Sequence, residues 1–155
     1  MPKLIKDGAI VDDIWLDADA ESSALEASQV ATLDQWLQLH DKSGRAVQLE
    51  PGEAPAPLFD YLQEIPLVVV NFPLFMDGRG FSYGRELRER GYTGELRAAG
   101  NFIRDQLTYL QRCGFNAFQM AEEAQLQDAL NSLDEFSQSY QAAPDQPLPL
   151  FRRRV

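Results

Sequence analysis

The run Leu67-Val68-Val69-Val70-Asn71-Phe72-Pro73-Leu74-Phe75-Met76-Asp77-Gly78-Arg79-Gly80-Phe81-Ser82 decides the fold. Its first four residues are aliphatic and show no polar alternation. A strand with one wet face alternates; a strand of this composition is buried on both faces, as in a parallel sheet. The turn Asp77-Gly78-Arg79-Gly80 then leads into a helix that Ser82 is expected to cap. Tyr83 and Leu87 lie one turn apart in it, and Gly91 stands at its stop.

Downstream the pattern repeats. Gly94 to Ala98 reads as a short strand, followed by a helix that Asn101 caps and that carries Ile103, Leu107 and Leu110 on one face. Gly114 ends it. Phe115 to Met120 alternates as the next strand, and a helix from about 123 to 136 buries Leu126, Ala129, Leu130, Leu133 and Phe136. Tyr140 to Ala142 offers a last strand before a Pro-rich tail, 143–155, that ends in Arg152-Arg153-Arg154.

Upstream the chain is less regular. Residues 1–31 are acidic, with apolar patches at Ala9-Ile10-Val11 and Ile14-Trp15-Leu16 that suggest a strand or hairpin. Thr32 with Gln35 three residues later is a capping-box signal, followed by Leu33, Trp36, Leu37 and Leu39. Ala46 to Leu49 reads as a strand. Residues 51–57 hold three prolines and a glycine and read as a loop, after which Leu58, Phe59 and Leu62 form a short amphipathic helix. The expectation is one α/β domain over 1–155, with its core motifs in 67–120. It is a mainly parallel sheet of successive βα units, as an open sheet or an incomplete barrel, preceded by a less regular acidic N-terminal segment.

The formal charge is -10, which disfavours nucleic acid and anionic membranes as partners. It is unevenly spread: residues 1–66 carry 4 basic and 13 acidic groups, whereas residues 79–112 carry 7 arginines against 4 acids. A single cysteine, Cys113, excludes an internal disulfide. With no membrane-length apolar run and no signal-peptide h-region, the expected location is the cytoplasm.

Ligands of such folds bind at the carboxyl ends of the strands. The candidate ligand-binding residues there are Asp77, Gly78, Arg79, Gly80, Ser82, Arg97, Asn101 and Gln119. Glycines admit a ligand to the backbone, a helix N-terminus attracts an anion, and arginine can grip an oxyanion with two hydrogen bonds. The same glycines also suit a tight turn, and Glu95 and Arg97, on one face of a strand, suit an ion pair. Arg85, Arg88 and Arg90, spaced against Glu86 and Glu89, read as a solvated helix face. Gly78-x-Gly80-x-x-x-Gly84 has one residue too many for the dinucleotide fingerprint. The only histidine, His40, lies far from Cys113, so a His-based triad or metal centre is disfavoured, and no metal site is assigned.

Four ordered motifs carry a resemblance: Asn71-Phe72-Pro73 with Asp77-Gly78-Arg79-Gly80-Phe81-Ser82; Gly91-Tyr92-Thr93-Gly94-Glu95-Leu96-Arg97-Ala98; Asp105-Gln106-Leu107; and Arg112-Cys113-Gly114-Phe115. Together they resemble the bacterial family known as domain of unknown function 934. The resemblance implies a link to assimilatory sulfite reduction: relatives tend to be encoded beside sulfite reductase and other sulfate-assimilation genes and are often labelled oxidoreductases of sulfite reduction. It transfers no catalytic residue and no cofactor, and relatives often carry Asp where this chain has Asn101 and Asn116. The expected function is an accessory protein or oxidoreductase component of assimilatory sulfite reduction that binds an oxyanion. The alternatives are a non-catalytic docking partner of sulfite reductase and an enzyme acting on a phosphorylated small molecule.

Overall fold

Among the described residues the elements in chain order are β1 (Lys3–Lys6), β2 (Ala9–Asp12), β3 (Ala31–Thr32), α1 (Leu33–Leu37), β4 (Val47–Leu49), a 3-10 turn (Ala56–Tyr61), β5 (Leu67–Phe72), α2 (Arg79–Glu89), β6 (Glu95–Gly100), α3 (Leu107–Arg112), β7 (Ala117–Met120) and α4 (Leu126–Ser139). These seven strands form one sheet in the order β2-β1-β7-β6-β5-β4-β3. The computed structural model describes residues 3–17, 25–72, 79–100, 106–120 and 125–139. Asp77, Gly78, Asn101, Ile103, Asp105, the strand expected over Tyr140 to Ala142 and the tail 143–155 lie outside these residues.

The protein is α/β with a mostly parallel sheet. Strands β3 to β7 are mutually parallel, while β1 pairs antiparallel with both β7 and β2. The aliphatic run of β5 is buried on both faces. Val68 and Val70 belong to the large core under the helices, and Leu67 and Val69 belong to a second cluster on the opposite face. Neighbouring strands that are also neighbours in sequence put each crossover on the same face when the crossovers share one hand. Accordingly the apolar sides of the four described helices join the first cluster, through residues such as Trp36, Leu87, Leu110 and Leu133. Among the described residues the second face is covered by Trp15, which packs against Val30, Ala46, Leu67, Val69 and Ala99. No described helix is long and apolar enough to cross a membrane.

Local signals explain most boundaries. Thr32 and Gln35 make both halves of the capping box at the start of α1. Helices α2 and α3 end alike. Gly91 and Gly114 have φ of 100° and 106°, and the N–H groups of Tyr92 and Phe115 reach back to the carbonyls of Leu87 and Leu110. This is the Schellman arrangement, with a buried aromatic residue after each glycine.

Several elements differ from expectation. The hairpin runs from Lys3 to Asp12 rather than through Ile14-Trp15-Leu16; it turns at Asp7 (φ 52°) and Gly8 (φ 82°), the positive angles of a two-residue hairpin loop. Ile14 is exposed and Trp15 turns inward. Ser82 is not a cap: α2 already includes Arg79, so Ser82 lies in its first turn and is exposed. Nor are Arg85, Arg88 and Arg90 simply a solvated row, because each has a partner outside its own helix.

Candidate functional site at the carboxyl ends of the strands

Helix α2 is seated on the core by two glycines one turn apart. A Cβ at Gly80 would lie 2.4 Å from the ring of Phe72, and one at Gly84 would lie 2.4 Å from the ring of Phe115. Those rings meet edge to face at 6.0 Å. The glycines therefore make a socket for two aromatic side chains, and Gly80 has a packing reason to be small whatever ligand binds nearby. Because Phe72 is the last residue of β5, the contact also fixes the first turn of α2 at the carboxyl end of that strand.

The loop after β4 reaches the same place. Glu50 and Glu53 close a turn through Glu53 N–H to Glu50 O (2.9 Å) and Glu50 N–H to Glu53 Oε1 (2.8 Å). Gly52 N–H donates to the hydroxyl of Tyr83 on α2 at 3.1 Å. The carboxyl edge thus gathers the Glu50–Glu53 turn, the first turn of α2, Gly100 and Gln119.

Arg97 and Gln119 meet, and not through a ligand. Arg97 is buried on the helix-free face, with Val69 and Ala117 as its register partners on the two flanking strands. Its Nη1 donates to Asp13 Oδ2 (3.0 Å) and Gln119 Oε1 (3.1 Å), while Nε and Nη2 both donate to Glu95 Oε2 (3.0 and 2.8 Å). Lys6 adds a further cation 3.3 Å from Glu95 Oε1. Four of the guanidinium's roughly five N–H donors are thereby used, and the charges of Arg97 and Lys6 match those of Asp13 and Glu95. Asp13 also accepts the N–H of Trp15 at 3.0 Å, so one carboxylate holds both the arginine and the segment that covers it. By holding Gln119 Oε1, Arg97 sets the orientation of that amide; its Nε2 has Asp17 Oδ1 as a distant partner at 3.5 Å.

Of the remaining candidates, Gly80 and Ser82 sit together in α2, and Arg79 is its first described residue. Sequence reasoning missed three features. Arg88 donates to the carbonyls of Gly114, Tyr92 and Gly94 (2.8, 2.9 and 2.9 Å) and to Asn116 Oδ1 (3.3 Å). It ties the ends of two helices together, and its burial lowers the guanidinium's pKa from the ordinary value. Arg85 reaches the Tyr109 hydroxyl at 3.4 Å, and Arg90 stacks 4.4 Å above the ring of Phe59. Third, Glu50 accepts from Asn71 Nδ2 (2.8 Å) and Gln48 Nε2 (2.5 Å), in a cluster no motif announced. Among the described residues no group of three or more His, Cys, Asp or Glu side chains could hold a metal ion.

No curated protein matches the chain. Residues 46–151, from β4 through the carboxyl-edge elements just described, match the model of a family described as "Bacterial protein of unknown function (DUF934)". That span is more than half of the 155 residues, and the chain belongs to the DUF934 family.

Proposed function

We propose that the chain binds a small oxyanion at the first turn of α2 and serves assimilatory sulfite reduction in the cytoplasm, as an accessory protein or an oxidoreductase component. The observation that supports this reading is the seat of Gly80 on Phe72, which brings the N-terminal turn of α2, with Arg79 in it, to the carboxyl end of a parallel strand. Such a turn has unpaired N–H groups and about half a positive charge. Arg79 would hold the anion, Gly78 and Gly80 would admit it, and Asp77 would position Arg79 or a water. Sulfite as the anion, and sulfite reductase as the partner, come from the resemblance to relatives associated with that enzyme. We further read β3 to β7 as successive βα units, in an open sheet or an incomplete barrel, with a less regular acidic N-terminal segment before them.

The test is thermal melting with sulfite, sulfate, phosphate and chloride at equal ionic strength. A specific anion at 100 times its dissociation constant adds about 2.7 kcal/mol. No shift beyond that of chloride, or a shift that survives Arg79→Ala, rejects the site. A phosphate-selective shift favours the phosphorylated-substrate alternative. A docking role has its own support in Ile14 and Leu16, apolar side chains exposed between Asp12 and Asp17. Copurification with sulfite reductase that survives Arg79→Ala but is lost when those aspartates become lysines would favour docking.

A further inference from the structure

We propose that Ile14 and Leu16 form a seat for the chain's own segment Leu148–Arg154, whose arginines match the acidic residues around that seat. The proposal is independent of the oxyanion, of the residues assigned to it and of any docking of sulfite reductase. Ile14 is 68% exposed and Leu16 45%, whereas Trp15 between them turns inward onto the helix-free face. The backbone that presents them is fixed. Leu16 N–H donates to Ser28 O (2.9 Å), Val30 N–H donates to Leu16 O (3.0 Å), and Asp13 holds the N–H of Trp15. Single apolar residues on a surface are ordinary, but two held outward side by side on an anchored segment offer an apolar contact. Their surroundings are acidic. From Asp12 to Glu26 the sequence has six acidic residues and no lysine or arginine. Asp12 is paired with Lys3 and Asp13 with Arg97, while the exposed Asp17 meets an amide, Gln119 Nε2, at 3.5 Å.

Leu148-Pro149-Leu150-Phe151-Arg152-Arg153-Arg154 has the complementary composition, apolar side chains followed by three cations. Pro147 and Pro149 set φ near about −65° and donate no N–H, so the segment offers extended side-chain contacts rather than a strand ladder. It is also within reach. Helix α4 packs against β1 and β2, the strands that lead into Ile14. Its 14 residues are about 21 Å long. The nine residues from Ser139 to Leu148 extend to about 30 Å, enough to run back along α4 and round the β2 edge. A connection of that length holds the tail at an effective concentration of about 1 mM, which favours it over a second copy or a separate basic partner. Any protein that docks on Ile14 and Leu16 then has to displace the tail first.

The experiment follows the methyl resonances of Ile14 and Leu16 in the full chain, with a nitroxide attached to Val155→Cys. Cys113 is buried, and the parent chain treated in the same way is the control. The expected result is loss of the Ile14 and Leu16 methyl signals, unchanged on tenfold dilution. The signals should return when Arg152, Arg153 and Arg154 are all replaced by glutamate. Leu37, also exposed but on α1 beside the opposite edge of the sheet, should keep its signal throughout. Intact Ile14 and Leu16 signals, a loss that fades on dilution and so belongs to a second copy, an equal loss at Leu37, or a loss that survives the triple replacement overturns the proposal.

Discussion

Replacing Arg97 by methionine keeps most of the buried stem and removes the guanidinium. The side chains it would abandon are buried too: Arg97 is 3% exposed, Asp13 4% and Glu95 9%. Breaking a buried pair by removing one partner costs about 3–5 kcal/mol, because a carboxylate is left without compensation. Here Lys6 remains 3.3 Å from Glu95, so most of the loss falls on Asp13, which among the described residues keeps only the Trp15 N–H. We therefore expect the low end, about 3 kcal/mol, and a melting temperature lower by about 6–12 °C for a chain of this size. Urea unfolding at neutral pH measures it directly, provided the slope m is unchanged. The network reading adds a sharper demand. Asp13→Asn and Arg97→Met should couple by more than about 1 kcal/mol in a double-mutant cycle, since each removes what the other pairs with. A loss below about 1 kcal/mol for Arg97→Met, or costs that simply add, would refute the argument.

Gly80→Ala should destabilise by about 1–3 kcal/mol: helix propensity improves by up to about 1 kcal/mol, but the new methyl enters the Phe72 ring, which Phe81 and Phe115 hold on other sides. A melting temperature equal to or above that of the parent would show that the ring moves freely. Tyr92 supplies a pH dependence. Burial raises its phenol pKa above the ordinary 10.0, and the hydroxyl donates to Glu95 O at 3.1 Å. The folded state therefore keeps a proton that the unfolded state releases, so stability is unaffected below about pH 10 and falls above it. Tyr92→Phe should make that fall shallower by up to about 1.4 kcal/mol per pH unit, and identical slopes from pH ~9 to ~11 would contradict the assignment.

Much of the fold is legible where the signal is local. The unbroken Leu67–Val70 run announces a doubly buried parallel strand, Thr32 and Gln35 announce a cap, and Gly91 and Gly114 announce helix ends. Asp7-Gly8 is an equally local hairpin signal, but the apolar patches at 9–16 draw the hairpin too far along the chain. What periodicity cannot reach is pairing between distant segments. Glu95 and Arg97 are visible as neighbours on one strand face, but Asp13, the partner that orders the N-terminal segment, stands 84 residues from Arg97. Arg88 fails for a related reason. Its i,i+4 spacing describes a solvated helix face, and only the meeting of two helix ends turns it into a clamp on carbonyls. The glycines of α2 are readable as small but not as small for a purpose. A phosphate-type loop and an aromatic socket ask for the same residue.

The antiparallel pairing of β1 with β7 joins Ile5 to Phe118 and Lys6 to Ala117. Strand β1 therefore leaves the ribosome well before the strand it pairs with. At usual elongation rates that interval is on the order of 10 s, during which β1 of the Lys3–Asp12 hairpin lacks its β7 neighbour, and a lone two-stranded hairpin is at best marginally stable in water. Asp13 waits as well, since Arg97 arrives with β6 and Gln119, which shares that guanidinium, with β7. The nascent chain can assemble β3 to β6 progressively, but its opening segment acquires a fixed place only after synthesis has passed Met120. Premature termination before β7 would consequently release a chain whose N-terminal hairpin, though fully synthesised, has no strand to join.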